Sequence, residues 1–439
     1  MRQALIHRVP MRHPGDVSGV EALFDDGLRP DAVVAILGKT EGNGCVNDFT
    51  RAYAVQALEH LLARRGGRPD VAMVMSGGTE GGLSPHFLVF AEVGGGVRAG
   101  AEGGADAGVG VGVEAGAGVG GGRESATEGG ALAIGVAFTS EFRPEEIGRM
   151  GQVEATAAAV RAAVAQAGID DVHYVQVKCP LLTSERIAEA EGRGATVATR
   201  DTYHSMGLSR GASALGVALA LGEVAAVRES DIGTDMTKFS RVASASAGVE
   251  LTRNEVLVLG HSAAWRGPLR IAHAVMADGI DLAAVQAALR GAGLAVQGQL
   301  APAEEARLVA VLAKAEPSSS GRIRGARHIM NDDSDINATR HARALVGGVI
   351  AAAVGRTELF VSGGAEHQGS DGGGPIAVIV RARLGRFTLG PRLNQVHHTI
   401  TAALATAEAK LAASLSHLVT MRRPSFSLQN TCSIRFRCW

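Results

Sequence analysis

A short turn rich in small residues recurs three times along this chain, and this recurrence constrains the fold more than any other feature of the sequence. Each copy has a short apolar run followed by a serine, two small residues, one further residue and a glutamate. The copies lie at residues 74–80, 242–250 and 360–366. Self-similarity of this kind indicates tandem units that repeat the same supersecondary structure.

A hydrophobic run ending in a lysine precedes each of these serines. The runs lie at residues 33–39, 172–178 and 308–314. Short apolar runs bounded by turn residues predict buried strands, here with a cationic end. The three lysines are Lys39, Lys178 and Lys314.

Helical patterns surround each predicted lysine strand. Between lysine and serine, a hydroxyl residue followed by an arginine opens an alanine-rich pattern, and these arginines are Arg51, Arg210 and Arg340. Upstream of each lysine, another helical pattern closes on a glycine, the usual helix stop, at Gly27, Gly168 and Gly293. Each unit therefore contributes one lysine, one arginine and one serine.

These repeats divide the 439 residues into three α/β units and a tail. Unit A is predicted at residues 1–140, unit B at 149–261, unit C at 268–383, and a basic tail at 384–439. Unit A contains a Gly-rich insertion at 94–130 that we expect to be flexible, because its composition cannot bury enough surface to offset the entropy of ordering. We expect residues 131–138 to form the last strand of unit A.

Composition excludes several classes of protein. The formal net charge is −1, so no global charge points to nucleic acid or to an acidic membrane surface. The four cysteines lack metal-type spacing and are sparse for a secreted scaffold, which favours a reducing cytoplasm. The N-terminus has no signal-peptide core, and no uninterrupted apolar stretch is long enough to span a bilayer.

Three sets of lysine, arginine and serine predict a particular kind of pocket. If the units associate around a pseudo-threefold axis, three hydroxyls and their neighbouring backbone N–H groups converge on one small space, where arginines supply planar donor forks. Such a pocket suits a small, flat ring that is anionic or carbonyl-rich and has matching threefold symmetry. Lysine recurs in every unit whereas histidine does not, and a partly desolvated lysine among arginines has a lowered pKa. The pattern therefore predicts acyl transfer by a Ser-Lys dyad.

Four longer strings carry a resemblance to a known family. They are GKTEGNGCVND at 38–48, VQVKCPLL at 175–182, SMGLSRGASALG at 205–216 and SGGAEHQG at 362–369. The chain resembles the cyanuric acid hydrolase and barbiturase family of ring-opening amidohydrolases over nearly all of residues 1–383. The resemblance implies three α/β units forming a central β-barrel with outer helices, a homotetramer, and hydrolysis of a ring amide of cyanuric acid to carboxybiuret, which loses carbon dioxide to give biuret.

The resemblance also implies roles for individual residues. Lys178 is the expected base and Ser246 the expected nucleophile. The residues expected to hold and polarise the ring elsewhere are Lys39, Arg51, Ser76, Gly77, Arg210, Ala247, Lys314, Arg340, Ser362 and Gly363. Internal alignment favours Ser246 over Ser244, because Ser246 is the serine followed by the x-Gly-x-Glu pattern; Ser244 remains the alternative.

No organic cofactor is expected, but members of this family carry a divalent cation beside the third unit. By motif, its ligands are the Glu316 carboxylate and groups of Ala365, Gln368, Gly369, Ser370 and Gly373. This all-oxygen set suits a hard ion such as Mg²⁺ or Ca²⁺. We expect the ion to shape the loop after Ser362 rather than to take part in the chemistry.

Two alternatives stay open at this stage. The first is the same chemistry on barbituric acid, in which CH₂ replaces one ring N–H and breaks the threefold match. The second is a non-catalytic protein that binds the ring without turnover. The presence of every lysine, arginine and serine of the pattern argues against the second alternative.

Overall fold

The structure, a computed structural model, describes residues 1–94 and 130–383. The Gly-rich insertion therefore lies outside the described residues except for its two ends, Gly94 and Gly130, and the predicted basic tail lies wholly outside them. Three single turns of 3₁₀ helix occur in the described part, at Pro30–Ala32, Pro144–Glu146 and Glu229–Asp231.

The described helices and strands fall into three successive groups along the chain. The first group is β1 (Arg2–Pro10), α1 (Ser18–Asp25), β2 (Val33–Lys39), α2 (Phe49–Arg64), β3 (Ala72–Ser76) and β4 (His86–Val93). The second group is β5 (Ala131–Phe138), α3 (Met150–Ala167), β6 (Asp171–Cys179), α4 (Ser184–Gly192), α5 (Thr202–Ala220), β7 (Ala243–Ala247) and β8 (Glu255–Ser262). The third group is β9 (Trp265–Arg266), β10 (Leu269–Met276), α6 (Leu282–Gly291), α7 (Pro302–Glu305), β11 (Leu308–Ala315), β12 (Arg322–Ile323), β13 (Ala326–Arg327), α8 (Ala338–Val354), β14 (Phe360–Gly363) and β15 (Gly374–Arg381).

Three sheets with the same strand order organise these elements. The orders are β3-β2-β4-β1, β7-β6-β8-β5 and β14-β11-β15-β10, with the short β9 added to the edge of the first sheet. In each sheet the lysine strand pairs parallel with the serine strand and antiparallel with the strand that follows the serine. Each lysine strand also has a register shift five residues before its lysine, between Val33 and Ala35, Val172 and Tyr174, and Leu308 and Ala310.

The predicted boundary of unit A is wrong. Residues 131–138 do not end the first sheet; as β5 they pair with β8, from Ala131 opposite Ser262 to Phe138 opposite Glu255. The first sheet ends with β4, which pairs with both β1 and β2. The prediction assigned residues 131–138 to unit A because they follow the insertion directly. Their hydrogen-bonding partner, β8, instead lies more than a hundred residues downstream.

The expected central barrel is not found in the described residues either. Their strands form three separate open sheets and the two-stranded hairpin of β12 and β13. Each of the three hydrogen-bond ladders ends at its serine strand. Between neighbouring sheets, the contact at this edge is a hydrogen bond from a lysine side chain. The three sheets are therefore not joined into a closed barrel by backbone hydrogen bonds.

Both faces of the sheets are buried, which explains the continuous apolar runs in the sequence. One hydrophobic cluster combines residues of all three sheets, such as Leu37, Val177 and Leu312. A second cluster covers the other face of the first sheet with α1 and α2, and a third covers the other face of the third sheet with α6 and α8. The predicted glycine stop is confirmed at Gly168, which caps α3 in the left-handed conformation with φ of 61°.

Candidate active site

Each lysine lies directly opposite a serine in a parallel ladder. Lys39 pairs with Ser76, Lys178 with Ser246 and Lys314 with Ser362. Because side chains alternate between the two faces of a strand, a single register places each amine and its hydroxyl on the same face. The sequence pattern of one lysine and one serine per unit thus becomes three facing pairs.

The three serines line one pocket with an empty volume of about 270 Å³. Its other lining residues are Gly44, Arg51, Met75, Gly77, Met206, Arg210, Ala247, Arg343 and Gly363. The three lysines are fully buried and are not among the lining residues. The structure therefore places hydroxyls and guanidinium groups at the pocket surface, with the amines behind them.

The lysines also join the sheets to one another in a cycle. Each Nζ donates to the backbone carbonyl just before the serine of another sheet: Lys39 to Val361 at 2.7 Å, Lys178 to Met75 at 2.8 Å and Lys314 to Ala245 at 2.8 Å. Every sheet thus gives one such bond and receives one. These contacts hold the three serine strands around the same pocket.

Burial lowers the pKa of all three lysines, because desolvation disfavours the ammonium form. For Lys314, desolvation followed by repulsion from Arg210 lowers the pKa to about 7. For Lys178, desolvation is again the largest cause, but attraction to the Glu250 carboxylate opposes it. The expected lowering of lysine pKa is therefore confirmed, and its extent depends on the neighbouring charges.

The three lysine–serine pairs differ in their hydrogen bonds. Lys39 Nζ lies 3.3 Å from Ser76 Oγ, and Lys314 Nζ lies 3.2 Å from Ser362 Oγ. Among the described residues, no hydrogen bond joins Lys178 to Ser246. Lys178 Nζ instead contacts Glu250 Oε1 at 2.9 Å. The Oγ of Ser246 lies 2.8 Å from the Oγ of Ser362, so it is hydrogen-bonded across sheets.

The three recurring glutamates pair with arginines of other units. Arg210 forms a two-point contact with Glu366 at 2.8 and 2.6 Å, and Arg343 does the same with Glu80 at 2.9 and 2.7 Å. Arg51 Nε lies 3.7 Å from Glu250 Oε1. Each recurring glutamate therefore pairs with a largely buried arginine. The pairs fix the guanidinium groups that line the pocket.

Arg340 does not occupy the position predicted for it. Its side chain is 41% exposed and it is not among the pocket-lining residues, whereas Arg343 is 4% exposed and lines the pocket. Arg343 lies about one turn after Arg340 on α8. The rotation of this helix therefore decides which of the two arginines faces the pocket. A signal was present: Arg51, Arg210 and Arg343 each precede Ala or Gly, whereas Arg340 precedes a histidine.

Ser244, the alternative nucleophile, lies away from the pocket surface. It is fully buried, pairs with Gln176 in the ladder and is absent from the pocket lining. Ser246 lies two residues further on, opposite Lys178 and at the pocket. The geometry therefore favours Ser246.

The residues expected to hold a cation offer oxygen donors. Burial, followed by repulsion from Glu366, raises the pKa of Glu316 to about 7. Its carboxylate accepts the Gly364 N–H at 2.7 Å and contacts Thr339 Oγ1 at 3.2 Å. The side-chain oxygen of Gln368 already accepts the Ala245 N–H at 2.6 Å, which leaves its backbone carbonyl as the available donor. A buried carboxylate beside a second one fits a hard cation.

A second polar group was missed by the sequence interpretation. Asp171, His173 and His261 lie within reach of one another where β6, β8 and β10 meet. Their groups are already engaged: His173 Nε2 contacts Asp171 at 2.8 Å, His173 Nδ1 contacts His273 Nδ1 at 2.8 Å, and the Ile271 N–H donates to His261 Nε2 at 3.3 Å. The cluster is satisfied by hydrogen bonds between two sheets. No spacing in the sequence predicts it, because His273 comes from a third strand.

A second pocket adjoins the first, with an empty volume of about 290 Å³. It shares Gly44, Met206, Arg210, Arg343 and Gly363 with the serine pocket and adds Asn43, Cys45, Tyr203, Asn337 and Thr339. Tyr203, half exposed, accepts a hydrogen bond from Asn337 at 2.9 Å between the side chains. Cys45 is a free thiol at this second pocket rather than a ligand of any cluster.

Comparison with known proteins is consistent with this site. The family model described as amidohydrolase ring-opening protein matches residues 5–381. The chain therefore belongs to the family of ring-opening amidohydrolases, and the protein is a hydrolase acting on a cyclic amide.

Its similar relatives within that family carry a more specific name. The cyanuric acid amidohydrolase of Azorhizobium caulinodans is 54% identical over 390 residues, covering 87% of this chain and 99% of the relative. That of Bradyrhizobium sp. (strain ORS 375) is 53% identical over 393 residues, covering 87% and 98%. The crystal structure of the cyanuric acid hydrolase from A. caulinodans superposes with a TM-score of 0.75 at 52% identity, covering 87% of this chain and all of that one. A second solved cyanuric acid hydrolase gives a TM-score of 0.77 at 47% identity, with the same coverage of this chain.

Within residues 1–94 and 130–383, none of the helices has the length and the apolar composition that a membrane-spanning helix requires.

Proposed function

We propose that this protein hydrolyses one ring amide of cyanuric acid, forming carboxybiuret that loses carbon dioxide to give biuret. The observation that carries this proposal is the single small pocket lined by Ser76, Ser246 and Ser362, each opposite a buried lysine. Three equivalent hydroxyl positions match a planar ring with three equivalent carbonyls. Relatives that share more than half of the sequence are named for this substrate.

We further propose that the three units are related by a pseudo-threefold axis through the pocket. Three features support this arrangement: the sheets share one strand order, the lysine–serine register is the same in each, and the inter-sheet lysine bonds run in a cycle. The arginine–glutamate pairs form a second cycle among the same three units, in the opposite direction. A ring bound on such an axis presents each carbonyl to a similar set of donors.

In this proposal Ser246 is the nucleophile and Lys178 is its dyad lysine. The Ser246 oxygen adds to a ring carbonyl carbon as its proton leaves to a basic amine, and the resulting C–N bond cleavage opens the ring with protonation of the nitrogen. Water then hydrolyses the acyl-enzyme to release the serine. The remaining serines and the arginines that line the pocket hold the other ring carbonyls in place.

We propose that a divalent cation binds at Glu316 and at oxygens of Ala365, Gln368, Gly369, Ser370 and Gly373. The buried Glu316 carboxylate beside Glu366 supports this, because a cation there would relieve their mutual repulsion. The ion would fix the loop after Ser362. We expect a chelator to lower the melting temperature of the wild-type protein, and Mg²⁺ or Ca²⁺ to restore it. Equal melting temperatures with and without chelator would contradict the site.

Two further expectations belong to this proposal. A homotetramer follows from the family resemblance, and sedimentation of the purified chain tests it directly. A reducing cytoplasmic location is supported by the two described cysteines, Cys45 and Cys179, which are both free thiols.

The substrate is tested by following ultraviolet absorbance of cyanuric acid and of barbituric acid with purified protein, and by measuring biuret and carbon dioxide. We expect loss of cyanuric acid with formation of both products. Loss of barbituric acid alone would change the substrate and leave the dyad in place. Binding of either ring by calorimetry without any loss would identify a non-catalytic binding protein.

A further inference from the structure

The second pocket shares a wall with the serine pocket, and all three units contribute to that wall. The shared residues are Gly44 of the first unit, Met206 and Arg210 of the second, and Arg343 and Gly363 of the third. The serine pocket is backed elsewhere by the three fully buried lysines. The second pocket is therefore a space into which a ligand of the serine pocket can extend.

Two arginines of the shared wall each keep one nitrogen uncommitted. Arg210 uses Nε and Nη2 for its two-point contact with Glu366. Arg343 uses the same two nitrogens for its contact with Glu80. Among the described residues, neither Nη1 makes a hydrogen bond. Because a guanidinium carries donors on all three nitrogens and no acceptor, each of these arginines can donate to an oxygen of a ligand.

Glycines keep the uncommitted nitrogen of Arg343 accessible from both pockets. An added Cβ would approach Arg343 Nη1 to 2.9 Å at Gly44 and to 2.7 Å at Gly363. Both glycines line both pockets. Among the described residues, no carboxylate lines the second pocket, so its charged groups favour a ligand with acceptor oxygens.

Tyr203 adds a donor that belongs to the second pocket alone. The side-chain oxygen of Asn337 accepts the Thr339 N–H at 3.0 Å and caps α8. This bond directs the Asn337 NH₂ group to the Tyr203 oxygen at 2.9 Å. The Tyr203 oxygen is therefore the acceptor, and its own O–H remains for a ligand. The Asn337 oxygen also keeps a second lone pair that can accept an N–H.

The proposed reaction produces a ligand with matching groups. Once the ring C–N bond breaks, the acyl-enzyme carries an open chain on the Ser246 oxygen. Beyond the acyl carbon this chain contains two further carbonyl groups and ends in NH₂. Its oxygens accept hydrogen bonds and its nitrogens donate them. Unlike the flat ring, the open chain can extend from the serine pocket.

The open chain also has to move away from the acyl carbon. Its terminal NH₂ is the group that has just left this carbon and remains tethered to it. A well-oriented tethered nucleophile can reach an effective concentration of about 10⁵ M or more, so the amine competes strongly with water. Attack by the amine reforms the ring, whereas attack by water completes the hydrolysis. A second binding site for the chain therefore favours hydrolysis.

We propose that the second pocket binds the open ureido chain, through the Tyr203 O–H and the Nη1 groups of Arg210 and Arg343. With the terminal amine held there, water adds to the acyl carbon and the bond from this carbon to the Ser246 oxygen breaks. One water proton goes to the serine oxygen, and the other is released as the carboxylate of carboxybiuret forms. The inference rests on the proposed function and makes Tyr203 a binding residue for the open chain rather than for the ring.

A stable analogue of the open chain tests the binding. In 3-oxo-3-ureidopropanoate, CH₂ replaces the N–H beside the carboxylate of carboxybiuret, so the molecule does not lose carbon dioxide as a carbamate does. Calorimetry on Ser246→Ala, in which the ring is not turned over, compares its Kd with that of cyanuric acid. In this background we expect Tyr203→Phe to raise the Kd of the analogue about fivefold, as loss of one hydrogen bond does, and to leave the Kd of cyanuric acid unchanged.

Tyr53→Phe is the matched control for removing a tyrosine hydroxyl. Tyr53 is also a helical tyrosine, 47% exposed compared with 50% for Tyr203, and it lines neither pocket. It should change neither Kd. Arg343→Ala, which removes a residue of both pockets, should weaken binding of both ligands. An unchanged Kd of the analogue in Tyr203→Phe, or an equal loss for the analogue and the ring, would overturn the inference.

Turnover tests the effect of the second pocket on the acyl-enzyme. With Ser246 present, Tyr203→Phe should lower kcat about fivefold, because more of the acyl-enzyme returns to the ring. Hydroxylamine, a small nucleophile that intercepts acyl-enzymes, should accelerate loss of cyanuric acid more in Tyr203→Phe than in wild type. Equal acceleration in both proteins would contradict the inference while the hydrolase proposal stands. Absence of turnover by the wild-type protein would reject the proposed function and the inference with it.

Discussion

The lysine–serine pairs of the second and third sheets occupy the same ladder position but have different surroundings. Lys314 is surrounded by two carbonyls and the hydroxyl of its own serine, whereas Lys178 has a carboxylate and a carbonyl and makes no described bond to its serine. The difference arises from one side chain, Glu250, which turns toward Lys178. Sheets with the same backbone geometry can therefore differ in the side chains around the lysine, and these side chains determine the pKa of its amine.

The largest expected effect concerns the two serines at equivalent positions in the first and second sheets. Ser246→Ala removes the nucleophile that we propose and should lower kcat by about 10⁴-fold or more, with ring binding retained. Ser76→Ala should retain kcat within about tenfold, because it removes one hydrogen bond to the ring. Steady-state kinetics and calorimetry of both variants measure this. If the effects are reversed, the nucleophile belongs to the first sheet.

A second test removes the carboxylate that distinguishes Lys178 from Lys314. Glu250→Gln leaves Lys178 and Arg51 buried without their anionic partner, and should lower the free energy of unfolding by about 3 kcal/mol. Denaturant titration measures the loss, with Glu250→Asp as the variant that keeps the charge. An unchanged unfolding midpoint in Glu250→Gln would show that Lys178 does not depend on this pair.

The two arginines of α8 extend the comparison to the third unit. Arg343→Ala should lower kcat/KM by about 100-fold, because it removes a guanidinium that lines the pocket. Arg340 is partly exposed and pairs with the same glutamate, Glu80. Arg340→Ala should therefore lower kcat/KM by less than about fivefold. Kinetics of the matched pair decide between them. A larger effect at Arg340 would restore the assignment made from the sequence.

The smallest expected effect concerns Glu255, the residue opposite Lys178 in the neighbouring strand. Burial raises the pKa of Glu255 to about 7, although the Met73 N–H that it accepts lowers it. A carboxyl whose folded pKa exceeds its unfolded value of 4.5 binds more protons when folded, so its contribution to stability declines as pH rises from about 4.5 to 7.

Glu255→Gln should remove this decline. Relative to wild type, the variant should gain about 1 kcal/mol or more of stability between pH 4.5 and 7. Chemical denaturation at several pH values measures the difference. His86 occupies the matching position opposite Lys39, and burial lowers its pKa to about 4, so its contribution to stability rises over the same pH range; His86→Gln should therefore make the decline steeper, the opposite of the effect of Glu255→Gln. Parallel pH profiles of Glu255→Gln and wild type would rule out Glu255 as the titrating group.

Much of the fold could be predicted because it depends on local patterns. The lysine strand at 33–39 coincides with β2, and the runs at 172–178 and 308–314 lie within β6 and β11. Arg51 and Arg210 both lie on predicted helices and line the pocket. These elements are specified by hydrophobic periodicity and by glycine stops, which depend on neighbouring residues alone.

The sequence by itself determined the three lysine strands, the three serine turns and membership of the ring-opening amidohydrolases, because each depends on contiguous strings of residues. Only the tertiary structure decided that β5 joins the second sheet, that Arg343 rather than Arg340 faces the pocket, and that Ser246 contacts Ser362. Strand pairing, helix rotation and contacts between sheets depend on residues that are distant in the chain. A local sequence pattern therefore does not determine which distant residue lies within hydrogen-bonding distance.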